Sequence, residues 1–232
     1  MRRELLIFVC TLSFTHLAPG HAFAQDLSPS PTVASPTAPE GQVVDGVAAR
    51  IEDDIILESE VRELAAFQKL VDGREKPRDE LIRELADQWV VRGEIETAKY
   101  PPPSATDVDR AYSQLAAQFG SPEEFARRCA AVGLTEAAVR RMLQQQLHLS
   151  RFLEFRFRPA AQIDSKQIEA YYQDQFVPQL KARNESVPPL DDVEDTIREV
   201  LVQQAISDRS AQWLADTRTR LKIDIVAHGA KQ

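Results

Sequence analysis

QVVDGVAARIEDDIILESEV, residues 42–61, changes its apolar rhythm halfway along. Val43, Val44, Val47, Ala49 and Ile51 are β-favouring or small, and Ile55-Ile56-Leu57 is apolar again after the acidic cluster Glu52-Asp53-Asp54. That order predicts a strand, a tight turn and a short return strand. From Val61 through Leu64, Ala65, Gln68 and Lys69 the spacing becomes helical. The stretch is therefore a β-hairpin running directly into a first helix. Three adjacent carboxylates point in different directions and lack the oxygen-ligand spacing of a calcium loop, so the acidic cluster reads as a turn.

Upstream, residues 1–24 have a basic start at Arg2 and Arg3, an apolar run from Leu5 to Leu17, and Ala22-Phe23-Ala24 before Gln25. These are the parts of a cleavable signal peptide, and the apolar run falls short of the roughly 20 residues that span a bilayer. Cys10 lies within that run, without the small residues expected before a lipidated cysteine. Residues 25–41, QDLSPSPTVASPTAPEG, are too rich in proline and small polar residues to build a core and read as an extended linker. With the signal removed, Cys129 is the single cysteine and has no partner for a disulfide.

The chain carries 28 basic and 36 acidic residues, a net of −8, a balance that disfavours nucleic acid and anionic membrane as partners. The charge is uneven: arginines 127, 128, 140, 141, 151, 156 and 158 face only Glu136 and Glu154 between Arg127 and Arg158. The favoured reading is a solvated helix face that pairs with acidic helices elsewhere.

Downstream, helix follows helix. Residues 79–98 carry Leu81, Ile82, Leu85, Ala86, Trp89 and Val90 at helical spacing, and Tyr100-Pro101-Pro102-Pro103 stops them. Ser104 with Asp107 caps a helix to about Phe119, and Ser121-Pro122-Glu123-Glu124 starts a short one closed by Gly133. Thr135 opens a long helix that ends near Pro159. Asp164 with Gln167 caps the next, and a loop with Pro178, Pro188 and Pro189 leads to a last helix over about 190–220. Lys222-Ile-Asp-Ile-Val226 alternates as a strand, and its one available partner is the opening hairpin. The expected fold is mainly α, with a small sheet formed by the N-terminal hairpin and the C-terminal strand.

The opening stretch resembles the start of the SurA-type periplasmic chaperone domain, in which a Val-Val-Asp strand, an acidic turn and an Ile-Leu-x-Ser-Glu helix entry recur. The resemblance continues through Phe119-Gly120-Ser121-Pro-Glu-Glu-Phe125, Gly133-Leu134-Thr135, Ile168-Glu-Ala-Tyr-Tyr172, Pro189-Leu190-Asp-Asp-Val193 and Trp213-Leu214, covering most of residues 42–226. Two features depart from it. The parvulin-type prolyl isomerase that many members insert before the last helix is missing, since Gln173 to Pro189 spans 17 residues, against at least about 50 for a domain. Leu57 stands where a Thr often caps the first helix.

The resemblance implies an exported, ATP-independent chaperone in the periplasm that holds unfolded exported or outer-membrane proteins, without membrane insertion. On this reading residues 42–226 form the chaperone domain and 227–232 a tail. The candidate client contacts are Leu149, Phe152, Leu153, Phe155 and Phe157 on the long helix. At about 100° per residue, Phe152 and Phe155 share one side and Leu153 and Phe157 the other, so the helix is either sandwiched in the core or open on one side. No phosphate-binding loop occurs, and His148 and His228 are not spaced as metal ligands or as part of a catalytic constellation, so neither cofactor nor catalytic residue is expected. The alternatives are a dedicated adaptor for one exported partner and a prolyl isomerase.

Overall fold

A computed structural model describes residues 45–227 of the chain; the signal-like segment, the proline-rich linker and His228 fall outside the described residues. The fold is mainly helical with a three-stranded antiparallel sheet of order β2-β1-β3. The strands are β1 (Val47–Ile51), β2 (Asp54–Leu57) and β3 (Ile223–Ile225). The hairpin and the C-terminal strand do meet: Ala49 stands opposite Ile56 on one side and Ile225 on the other.

The acidic turn fastens this closure. Glu52 takes a left-handed φ of 49°, unusual for a residue with a side chain. Both of its polar ends are used there: its N–H donates to the Lys222 carbonyl at 3.0 Å and its carboxylate accepts from the Lys222 N–H at 2.7 Å. Asp54 accepts from the Trp89 indole at 2.8 Å, tying β2 to the second helix.

Helix α1 (Glu58–Asp72) follows β2 without a break. Leu57 has no side chain that can cap it. The first turn is satisfied from elsewhere: Glu60 accepts from the Leu57 N–H at 2.8 Å, and Asp45 accepts from the Ser59 N–H at 3.1 Å. The Asp of the Val-Val-Asp motif is thus the missing cap, and its hydrogen bonds with Ser59 hold its carboxyl below the usual range. Gly46 lies so close to this entry that a Cβ there would meet the Glu58 Cγ at 3.2 Å.

Helix α2 (Arg78–Ala98) follows Pro77, which offers no side-chain cap, while α3 (Ala105–Ala117), α4 (Pro122–Ala131) and α5 (Glu136–Phe157) start where their caps predict. Ser104, Ser121 and Thr135 each accept from the N–H three residues on, at 3.1–3.2 Å. Helix α6 (Ser165–Tyr171) carries the reciprocal Asp164–Gln167 box.

The expected loop after α6 is instead helical. A π turn over Tyr172–Phe176 runs into α7 (Val177–Ala182), with Pro178 in its first turn. Pro178 lacks an N–H and would clash with the carbonyl four residues back in a regular helix. Widening the preceding turn, in which the Val177 N–H reaches back to Tyr172, lets the chain stay helical past it. Helix α8 (Leu190–Arg218) then returns across α6, α5 and α2.

Three apolar clusters form the core. Ala49, Ile51, Ile56, Leu64, Ile82 and Ala86 join the sheet to α1 and α2. Phe67, Leu115, Phe125, Cys129 and Val139 join α1, α3, α4 and α5. Val90, Val91, Ile95, Phe152 and Leu214 join α2, α5 and α8.

Candidate functional site

The structure covers α5 on both of its apolar sides. On one side Phe152, 1% exposed, belongs to the core cluster with Val90, Val91 and Ile95. It therefore presents no surface to a partner. On the other side Phe157 lies 5.8 Å, ring to ring, from Trp213 of α8, with the Arg156 guanidinium 4.8 Å from the Trp213 ring. Leu149 and Leu153 are half-buried against the same cluster as Phe152. Of the five candidate contacts only Phe155 is largely exposed, at 61%. Of the two arrangements the periodicity allows, the sandwiched one holds for most of this helix, and exposed apolar surface is confined to its C-terminal end.

Phe155 projects into a shallow, open groove of about 540 Å³ lined also by Tyr100, Arg151, Glu154, Arg158 and Pro159. Tyr100 is its centre. The ring lies 5.2 Å from Phe155, 5.6 Å from Phe152 and 6.0 Å from His148. The Tyr100 carbonyl lies 3.2 Å from the His148 Nε2. In the sequence Tyr100 stands out only as part of a helix stop. A signal was present, because an aromatic held between a helix end and three prolines has few conformations open to it and packs beside the chain it follows.

The groove's two arginines are paired, in part by carboxylates beyond its lining. Arg151 donates to Asp107 at 2.9 Å, and Arg158 donates to Glu154 at 2.7 Å and to Glu199 at 2.6 Å. Hydrogen bonds from Arg151 and Ser104 hold the Asp107 carboxyl far below the usual range. All seven arginines between 127 and 158 are paired: Arg127 and Arg128 with Glu124, Arg140 with Glu136 and Asp109, Arg141 with Glu63, and Arg156 with Glu94, beside Arg151 and Arg158. Arg140, Arg141, Arg151, Arg156 and Arg158 reach acidic residues of other helices, the pairing that the sequence favours, whereas Arg127 and Arg128 share Glu124 of their own helix.

Cys129 is buried, and burial pushes its thiol up, away from the reactive thiolate. Among the described residues no group of three or more His, Cys, Asp or Glu is placed to hold a metal ion, and no helix is long and apolar enough to cross a membrane. No protein-family model matches the chain, and no curated protein matches it.

Proposed function

We propose that the chain is an ATP-independent chaperone of the periplasm, built like the SurA core without an isomerase insert, which holds unfolded exported or outer-membrane proteins. The observation that carries the reading is the Phe155–Tyr100 groove, an aromatic surface left open in a helical body that a three-stranded sheet closes. Covering one side of a single phenyl ring is worth roughly 1–2 kcal/mol before the client's ordering is subtracted. Such contacts are weak and reversible, which suits a holdase that works without fuel.

The test is to refold a denatured outer-membrane β-barrel protein with and without the purified mature chain. Reduced light scattering at stoichiometric chain supports the reading; unchanged scattering overturns it. A second reading, an adaptor for one exported partner, is favoured by how little apolar surface is concentrated: among the described residues the other exposed large apolar side chains are Ile55 and Ile225 on the two outer strands, Val187 before α8 and Val200 within it. A panel of unrelated unfolded clients separates the two. A chaperone binds many, an adaptor one.

A further inference from the structure

β3 is an outer strand, and its main-chain groups divide by alternation. The Lys222 carbonyl accepts from Glu52 at 3.0 Å, the Val226 N–H donates to Ala48 at 2.9 Å, and Asp224 stands opposite Arg50 between them. Residues 222, 224 and 226 therefore turn their N–H and C=O groups to β1. Those of Ile223 and Ile225 point away from the sheet, and no hydrogen bond from another described residue reaches them. The Ile225 side chain is 40% exposed beside them.

We infer that the free edge of β3 is a docking site for an extended segment of another polypeptide, taken up as a fourth strand, with a basic residue opposite Asp224 between apolar neighbours. Two outward pairs of donor and acceptor, spaced two residues apart, are matched by an extended backbone. Facing Asp224, the incoming residue sits in the pair type that does not exchange hydrogen bonds, where side chains come closest. The Asp224 carboxylate is 61% exposed; Lys222 lies 3.7 Å from it and Arg50 stands opposite it on β1, which leaves its outer side facing away from both. It is open to an incoming cation.

The same charge argues against a second copy of this chain. Ile223-Asp224-Ile225 reads identically in both directions, so antiparallel self-pairing sets Asp224 against Asp224 of the other copy. Like charges directly opposite destabilise a pair of strands. A foreign strand alternating apolar and basic residues has no such conflict. The inference rests on the reading of the chain as a binder of unfolded polypeptides, and adds to it a second contact recognised through backbone rather than through Phe155.

The experiment titrates the isotope-labelled mature chain with a short peptide alternating Val and Lys, read by NMR and amide exchange. The Ile223 and Ile225 amides are expected to shift and gain protection. A Val/Glu peptide binds about three- to fivefold more weakly, and Asp224→Lys reverses that order. Ile225→Pro removes an N–H that β1 does not use, so the sheet persists while peptide binding is lost. Shifts confined to the Phe155 groove, or binding undiminished in Ile225→Pro, overturn the edge site. Aggregation suppression judges the chaperone reading separately, since Ile225→Pro can abolish peptide docking while scattering is still reduced through the groove.

Discussion

Residues 158–200, an arm built from α6, the π turn, α7 and the first turns of α8, are held differently from the rest of the described chain. All three apolar clusters are drawn from outside this arm. Within it only Ala161, Ile168 and Ile197 are buried. Beside these three the arm is held by polar contacts: inside it the Tyr172 hydroxyl donates to the Pro188 carbonyl at 2.7 Å, Arg198 to the Ile163 carbonyl at 3.2 Å and Arg158 to Glu199, and across its border Arg158 donates to Glu154 and Arg209 to the Ala160 carbonyl. Exposed ion pairs and single hydrogen bonds contribute about 1 kcal/mol each, whereas a buried phenyl or isobutyl group contributes several. The body should therefore open only with global unfolding, and the arm at a lower free energy of its own.

The largest expected effect tests the body. Phe152→Ala removes a fully buried ring from the junction of α2, α5 and α8 and should cost about 3–5 kcal/mol, read as a lower denaturation midpoint. Ile168→Ala removes the arm's central contact and should cost about 2–4 kcal/mol, but locally. Both tryptophans, Trp89 and Trp213, pack on clusters of the body, so their fluorescence reports the body alone. In Ile168→Ala, helical circular dichroism should fall before the tryptophan signal does. Coincident transitions would show that arm and body are one cooperative unit.

The contrast also explains what the sequence reading could see. Helix starts were legible because Ser104, Ser121, Thr135 and Asp164 each bond within three residues of themselves. Asp45 was not recognisable as the cap of α1, because it acts across 14 residues through the hairpin. α7 was missed because Pro178 reads as a breaker, and only the widened turn before it makes it tolerable. The arginine-rich stretch implies a paired face, yet Arg141 finds Glu63 across 78 residues, a partnership no local spacing reveals. The candidate site was half legible. Helical periodicity placed Phe152 and Phe155 on one side but could not say that Tyr100 and α2 close over the first and leave the second open.

A third prediction concerns the seam where α8 returns to the body. Arg218 donates to both carboxylate oxygens of Asp87, at 3.0 and 2.8 Å, but burial outweighs the guanidinium and, with Glu84 one turn away, Asp87 is pushed up to about 6 from 3.8. A carboxyl whose pKa is raised binds its proton more tightly folded than unfolded, so stability falls as pH rises from about 4 to 6 and stays lower above that. Asp45, Glu75, Asp107, Glu123 and Glu199 are shifted the other way and lose their contribution as pH falls below about 4. Chemical denaturation across pH should therefore show a maximum between about 4 and 6. Asp87→Asn should remove the decline above it, whatever the variant's stability at a single pH, because the asparagine does not titrate. An unchanged slope in that variant would mean that Asp87 titrates normally.

The smallest expected change in stability falls on Phe155, and there the two regions meet. Its ring lies on the last turns of α5, beside Arg158 and Pro159, where the body gives way to the arm. At 61% exposure it already meets water, so Phe155→Ser should shift the denaturation midpoint by under about 1 kcal/mol. A core residue would behave oppositely, as Phe152→Ala does. If the groove captures clients, Phe155→Ser should nevertheless restore much of the light scattering that the wild-type chain suppresses, and Tyr100→Ser should do likewise with a larger stability cost, because Tyr100 also packs on Phe152. Suppression undiminished in Phe155→Ser would move client binding away from the end of α5. Because the fold barely notices this ring, any activity it loses belongs to the surface.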